Sequence, residues 1–444
     1  MYFMYPCPYY VNIAMRNIVP NSPLPPSMQK CIHDPSSISG LLEDCNCNSP
    51  IPGPHQNWIE QPFNTFLILG DQNSSFYIFP YEVDPETEIV IKGRYPYARY
   101  FALTVSGVFS LFVGSAVDRK IIPDPGSTNP FLPGANWDAK NRNYTLKIRF
   151  TSPPEGSNHF VPGAGNNIIY AGTLENGEPN KHGMFSLRIY VPSIGYDKTG
   201  GVGLPLITFC STRKDKGHEG FHNTSKHNNN KQNPNCFEHY SNFNNSAASY
   251  IRDNNKLAYS HSCDLTWSRI LPTLDQPEAN TIYTISNQIV RDPDQLLFIR
   301  WKAPTFPDTY HNIGITGDED MRYWSMSFVT PIGLLAFYTI SDYQTIIDKM
   351  GYVNLVISFG ASRPSGVTPE NGFTWVDASH LPLVPLFLIY RNNQISPNFP
   401  YTAKNVPKNE IVSPQEMGEY YPCGRYMNSI YFHSCYDNNS MKND

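Results

Sequence analysis

Arg99-Tyr100-Phe101-Ala102-Leu103-Thr104-Val105 opens the block, residues 97–209, whose reading decides the fold. Ile122-Pro123-Asp124-Pro125-Gly126-Ser127-Thr128-Asn129-Pro130-Phe131 follows, then Tyr144-Thr145-Leu146-Lys147-Ile148-Arg149-Phe150 and Asn167-Ile168-Ile169-Tyr170-Ala171-Gly172. Met184-Phe185-Ser186-Leu187-Arg188-Ile189-Tyr190-Val191-Pro192 comes next, and Gly200-Gly201-Val202-Gly203-Leu204-Pro205 closes the block. Short apolar, β-branched and aromatic runs cut by Pro, Gly and Asn clusters are the pattern of an antiparallel sandwich or barrel. The same pattern begins upstream at Phe66-Leu67-Ile68-Leu69 and continues through Phe76-Tyr77-Ile78-Phe79 and Glu88-Ile89-Val90-Ile91.

A second copy lies downstream. Asp84-Pro85 aligns with Asp292-Pro293 at an offset of 208 (292 minus 84), and the same offset sets Ile91 on Ile299, Lys92 on Arg300 and Pro96 on Pro304. Arg99-Tyr100-Phe101 then aligns with Arg322-Tyr323-Trp324, 223 residues on, so 15 extra residues (223 minus 208) fall in the turn-rich segment 305–320. Insertions are tolerated in such segments. The expected fold is therefore all-β: two related antiparallel β-sandwich modules, jelly-roll-like, at residues 62–210 and 277–400. A Pro- and Cys-rich N-terminal arm (1–61), a polar His/Asn-rich linker (211–276) and a Tyr/Cys-rich C-terminal tail (401–444) complete the expected organisation. The end of the linker is read as a short helix or strand joining the second module. Residues 341–350 are expected to be helical, with Ile346, Ile347 and Met350 spaced for one face.

Only 16% of the 444 residues are charged and the net charge is −5, against about 25% charged in typical soluble proteins. Nothing in that balance points to nucleic acid or an anionic membrane as partner. No apolar run approaches the ~20 residues of a membrane span, and the first residues lack the features of a secretory leader. Synthesis in a cytoplasm without export is the expectation. In place of charge the chain carries 40 Pro, 29 Tyr and 25 Phe, a composition that favours self-association.

The block 97–205 resembles uncharacterised bacterial proteins that carry a Pro-x-Ala-Arg-Tyr strand, a Pro-Asp-Pro-Gly-Ser-x-Asn-Pro-Phe loop and a Thr-Gly-Gly-Val-Gly-Leu-Pro turn. These stand here as Pro96-Tyr97-Ala98-Arg99-Tyr100, as the loop from Pro123 to Phe131 and as the turn from Thr199 to Pro205. Arg322-Tyr323-Trp324-Ser325 resembles their second-half signature. The resemblance implies a two-module β fold of unknown function and brings no established activity.

The candidate sites are few. Asp124 in its Pro-Gly loop, with Arg99 and Arg188, is a candidate polar pocket for a sugar or carboxylate, although Asp, Ser and Gly there also suit a compact structural loop. Gly200-Gly201-Val202-Gly203 reads as a tight turn, since no helix follows it to make an anion site. His218, His222, His227, Cys236 and His239 carry metal-ligating atoms at spacings that match no standard zinc site, so no metal and no cofactor is expected. Trp137, Trp301, Trp324 and Trp375 read first as core residues and second as stacking platforms for carbohydrate. Of the nine cysteines, Cys7, Cys31, Cys45, Cys47, Cys423 and Cys435 lie in the expected arms and are candidates for stapling them to each other, to the body or to neighbouring copies.

The expected function is a non-enzymatic structural protein that assembles with itself, such as a spore-surface component or an intracellular crystalline inclusion. A carbohydrate or small-ligand binding module is the alternative. A hydrolase or lyase ranks below both, and a pore-forming toxin ranks last because no long amphipathic alternating hairpin is present.

Overall fold

The computed structural model describes residues 49–51, 58–61, 70–107, 112–174, 177–211, 263–270, 281–330, 335–360 and 363–428. Its strands, in chain order, are β1 (Ser49–Ile51), β2 (Ile59–Glu60), β3 (Ser74–Glu82), β4 (Thr87–Arg94), β5 (Ala98–Gly107), β6 (Phe112–Val117), β7 (Asn143–Arg149), β8 (Phe160–Val161), β9 (Asn167–Tyr170), β10 (His182–Pro192) and β11 (Leu206–Ser211). There follow β12 (Trp267–Arg269), β13 (Thr281–Ser286), β14 (Gln295–Lys302), β15 (Met321–Val329), β16 (Ala336–Ser341), β17 (Tyr352–Ser358), β18 (Thr374–Asp377), β19 (Phe387–Ile395), β20 (Ile411–Val412) and β21 (Cys423–Asn428). A single turn of α-helix, α1 (Pro414–Met417), is held by a capping box between Ser413 and Glu416. The described chain is all-β.

Four sheets result. The first module pairs β1-β11-β4-β7-β9-β8 with β2-β3-β10-β5-β6, and the second pairs β16-β15-β19-β13-β12-β20 with β18-β17-β14-β21. Alternation explains why each pair closes on itself, because successive residues of a strand point to opposite faces. Ile89 and Ile91 of β4 with Leu146 and Ile148 of β7 meet Phe79, Phe101, Leu103, Phe185 and Leu187 of the facing sheet in one buried core. Leu297 and Ile299 of β14 with Leu355 and Ile357 of β17 meet Trp324, Met326, Leu388 and Tyr390 in the other.

The strand order is duplicated. The series β3-β10-β5-β6 recurs as β13-β19-β15-β16, and β11-β4-β7-β9 recurs as β21-β14-β17-β18. Even the parallel pairing of β7 with β9 is repeated by β17 with β18. At equivalent positions of β10 and β19, Val191 and Gln394 both take a positive φ, 46° and 47°. Such a conformation is costly for residues with a Cβ and persists only where the surroundings fix it.

Strands β5 and β15 are buried on both faces almost throughout. Phe101 and Leu103 enter their own sandwich core. Tyr100 and Ala102, one residue out of phase, are buried with Val117, Tyr190 and Val191 against Tyr323 of the second module. That double burial is why the deciding stretch reads as a nearly continuous apolar run and not as an alternation.

These strands bear on two expectations, of which the second is corrected. The sheets also draw strands from beyond 62–210 and 277–400: β1 and β2 from the N-terminal segment, β12 from the end of the linker, where a short helix or strand was expected, and β20 and β21 from the C-terminal segment. Short polar-flanked strands such as β21 gain their order from pairing, here with β14 from Gln295↔Asn428 to Arg300↔Cys423, and not from their own composition. Residues 341–350 are not a helix. A 3-10 turn over Asp342–Gln344, closed by Ser341 and Gln344 in a capping box, gives way at once to extended chain at Thr345, and Met350 is 75% exposed.

Cys423 forms a disulfide with Cys263 across 160 residues of chain, so it staples the segment before β12 to β21 within one module. Cys210 is also disulfide-bonded. Cys7, Cys31, Cys45, Cys47 and Cys435 lie outside the described residues. The Cys263–Cys423 bridge closes a long loop, so Cys263→Ser with Cys423→Ser should lower unfolding free energy by about 2–4 kcal/mol. Denaturant titration of the double variant, in which an unchanged midpoint would contradict the assignment, measures this.

Candidate functional site

The repeated Arg-Tyr-aromatic motif does its work between the modules. Arg99, on β5, is fully buried and its Nη1 donates to Oδ2 of Asp342 in the second module at 2.6 Å, while Nε donates to Thr309 Oγ1 at 2.8 Å. Arg322, on β15, reaches the other way: Nη1 lies 3.4 Å from Asp118 Oδ2 and Nη2 donates to the Phe131 carbonyl at 3.2 Å. Asp118 and Asp342 each follow the equivalent strands β6 and β16, 224 residues apart (342 minus 118). The two copies therefore exchange ion pairs crosswise.

Each arginine also lies over a phenylalanine of the opposite module, Arg99 Cζ 5.0 Å from the Phe306 ring centre and Arg322 Cζ 5.7 Å from Phe131. Each phenylalanine in turn packs on the aromatic residue two places after its own module's arginine: Phe131 on Phe101 at 5.4 Å and Phe306 on Trp324 at 6.1 Å. Cation–π contact of this kind strengthens as water is excluded.

A third charge contact breaks the symmetry. Asp71, fully buried, pairs with Arg391 and accepts from Tyr323 Oη at 2.7 Å and Ser325 Oγ at 2.8 Å. Gln394 Nε2 donates to Asp118 at 3.0 Å, which gives the strained backbone at that residue a purpose. Beside Asp71, the Gln72 amide bonds the backbone of β16 at Phe337 O and Thr339 N, and so covers an edge strand that would otherwise be open.

Burial dominates the titration of these acids. It pushes Asp342 up to about 6 although Arg99 and two backbone N–H groups pull it down, and it raises Asp118 against the opposing pull of Arg322. Arg322 is lowered by the same burial.

Next to this seam, on the second module, lies a cleft of about 450 Å³ whose lining includes Ala303, Phe306, Asp308, His311, Asp342 and Gly351. His311 Nδ1 lies 2.9 Å from both carboxylate oxygens of Asp308, on a 3-10 turn whose C-terminal Asn312 is left-handed. Arg99 runs beneath the cleft, since its partners Asp342 and Phe306 both line it.

The residues singled out from sequence are placed differently from the expected pocket. Arg99 is committed to Asp342 and Thr309. Asp124 accepts from Thr145 Oγ1 at 3.1 Å, and its carbonyl accepts from Ser127 N–H, so it shapes its own loop. The Arg188 guanidinium lies 5.3 Å from the Phe76 ring centre. No hydrogen bond or ion pair joins these three among the described residues, and the reason is that Arg99 sits on the seam face, where its nearest carboxylate belongs to the other module. The glycine turn is a tight turn: Asp197 accepts from Thr199 and Gly201 N–H, and a Cβ on Gly200 would fall 2.9 Å from the Tyr97 backbone. Trp137, Trp301 and Trp324 are core residues. Trp375 is half-buried, with Nε1 donating to Ser358 Oγ at 3.0 Å. His218, His222, His227, Cys236 and His239 lie outside the described residues, and among the described residues no group of three His, Cys, Asp or Glu could hold a metal ion. No helix among them is long and apolar enough to cross a membrane.

Asp118, Asp342 and Asp71 were missed by sequence reasoning. The first two could have been found by carrying the repeat register past β6, to Val117-Asp118 and Ser341-Asp342. Asp71 carries no such signal.

No family model and no curated protein matches the chain. Solved structures similar to it include the following two. An uncharacterised protein from Burkholderia cenocepacia is 11% identical, with 84% of this chain and 81% of that chain covered at a TM-score of 0.46. The VPA0106 protein from Vibrio parahaemolyticus is 11% identical, with 81% and 90% covered at a TM-score of 0.39.

Two outcomes are expected from the seam. Arg99→Met should cost about 3–5 kcal/mol by leaving Asp342 buried without its countercharge, and Arg99→Met with Asp342→Leu should cost clearly less than the sum of the single changes; chemical denaturation of the four proteins reads the cycle. The sign of the pH effect follows from the raised pKa. The folded state holds the Asp342 proton more tightly than the unfolded chain, whose value is near 3.8, so this contribution is full below that pH and is lost as pH rises through about 6. Asp118, raised in the same direction, adds to it. Asp342→Asn should flatten the fall in melting temperature between pH 4 and pH 7, and an unaltered slope would contradict the assignment.

Proposed function

We propose that this chain is a non-enzymatic structural protein whose rigid two-module body associates with further copies of itself. The observation that carries the reading is a set of exposed apolar side chains at the seam: Leu132 (42%), Ile194 (54%), Tyr196 (42%) and Ile313 (55%). Their loops are bound to one another. Ile194 N–H donates to the Tyr310 carbonyl at 2.8 Å, Gly134 N–H to the Ile315 carbonyl at 2.8 Å, and Tyr196 stacks on Tyr97 at 4.5 Å. Apolar groups gathered on loops from both modules make a surface that a second copy would cover with gain.

The low charge of the whole chain supports the same reading, because weak self-repulsion favours ordered deposition. Residues 1–61, with Cys7, Cys31, Cys45 and Cys47, and Cys435 beyond β21 supply thiols for arm exchange and inter-chain disulfides. An intracellular crystalline inclusion or a spore-surface layer is the setting that fits such an assembly.

Sedimentation of the native protein with and without reductant, at neutral and alkaline pH, tests it. Large particles that dissolve on reduction or at high pH are expected, and Ile194→Asp with Ile313→Asp should shift the distribution toward single chains. A monodisperse monomer under every condition would overturn the reading.

A further inference from the structure

The cleft exists because the two modules diverged at one place. From Asp118 to the start of β7 at Asn143 is 25 residues (143 minus 118), whereas from Asp342 to the start of β17 at Tyr352 is 10 (352 minus 342). The second module lacks 15 residues here, and it carries the 15 extra ones before β15 instead. The side chains follow suit. Tyr95 and Ala303 are equivalent, as are Arg142 and Gly351: Tyr95 N–H donates to the Arg142 carbonyl, and Ala303 N–H donates to the Gly351 carbonyl.

In the first module this place is full. Tyr95 and Arg142 are completely buried. Tyr95 Oη donates to the Ile121 carbonyl at 2.7 Å and its ring packs on Phe131. The Arg142 guanidinium lies 3.6 Å from the Tyr97 ring centre and donates to the Trp137 and Pro96 carbonyls. In the second module Ala303 and Gly351 remove both side chains, and the cleft of about 450 Å³ is what remains. Phe306 and Tyr343 supply its aromatic walls and Asp308 its exposed carboxylate, the Asp342 carboxylate being buried against Arg99, and neither Lys nor Arg is among its lining residues.

We propose that this cleft binds a small organic cation bearing a guanidinium group, which takes the place that Arg142 fills in the first module. Its planar head would lie against Phe306 or Tyr343, as Arg142 lies on Tyr97. The Asp308 carboxylate, 40% exposed and in contact with His311 Nδ1, would accept its N–H groups. The cleft adjoins the seam surface, since Asp308 and His311 lie on the loop that carries Ile313, but none of Leu132, Ile194, Tyr196 and Ile313 lines it.

Isothermal titration of the full-length protein with agmatine tests the proposal, with N-butylurea as the neutral planar control and maltose as the carbohydrate control. Agmatine alone should bind. Asp308→Asn should weaken it about tenfold or more, the loss of one charge-assisted contact. Ala303→Tyr, which restores the filling side chain of the first module, should abolish it while keeping the melting temperature; should that variant not fold, Asp308→Asn decides alone. Equal binding of N-butylurea, binding of maltose in preference, no heat with agmatine at millimolar concentration, or unchanged agmatine affinity in Asp308→Asn would each overturn it.

Discussion

A guanidinium group taken out of water needs a countercharge within reach, and among the described residues neither Arg99 nor Arg322 forms an ion pair within its own sandwich. Each is placed by its strand at the face where the modules meet, and each is answered by an aspartate of the other module. An unpaired buried charge costs far more than the pair gains over apolar packing. The ion pairs therefore matter less as a source of stability than as a condition: either module alone would expose Tyr100 or Tyr323 and strand a buried charge. Asp71, with Arg391, Tyr323 and Ser325, extends the same condition to the segment that leads into β3.

Duplication explains the form of this seam and divergence explains its one opening. Crossed pairs between equivalent residues are what a two-fold dimer presents across its axis, where the same patch serves both partners. Here a single chain carries both patches. Phe131 and Phe306 cover the two arginines from different positions in the sequence, one after β6 and the other before β15, so the packing requirement was kept while the loop that meets it moved. The move left Tyr95 and Arg142 without counterparts in the second module, and Ala303 and Gly351 border the resulting cleft.

Much of the fold was legible because sandwich strands declare themselves through period and punctuation. The register of the repeat, fixed by Asp84-Pro85 against Asp292-Pro293, placed β4 on β14 and β5 on β15. What sequence could not show was whom the arginines meet. Arg99 and Asp342 are 243 residues apart, and nothing local in either distinguishes a seam partner from a pocket residue, so Arg99 was read with Asp124. The apolar spacing of Ile346, Ile347 and Met350 suggested a helix, but after one 3-10 turn the chain is extended at Thr345, the Ile346 N–H donates to Thr374 Oγ1 and Ile347 bridges Val353. Strand β12 falls at the end of the linker, where a short helix or strand was expected, whereas β21 was hidden in polar, Cys-bearing sequence because it is paired along β14, a stronger neighbour.

The central claim is that the crossed ion pairs make the two modules one cooperative unit. Differential scanning calorimetry of the intact chain tests this most directly by comparing the calorimetric with the van't Hoff enthalpy. A single transition with the two enthalpies equal is the predicted result. Two resolved transitions, or a calorimetric enthalpy near twice the van't Hoff value, would show modules that unfold independently and would contradict the account.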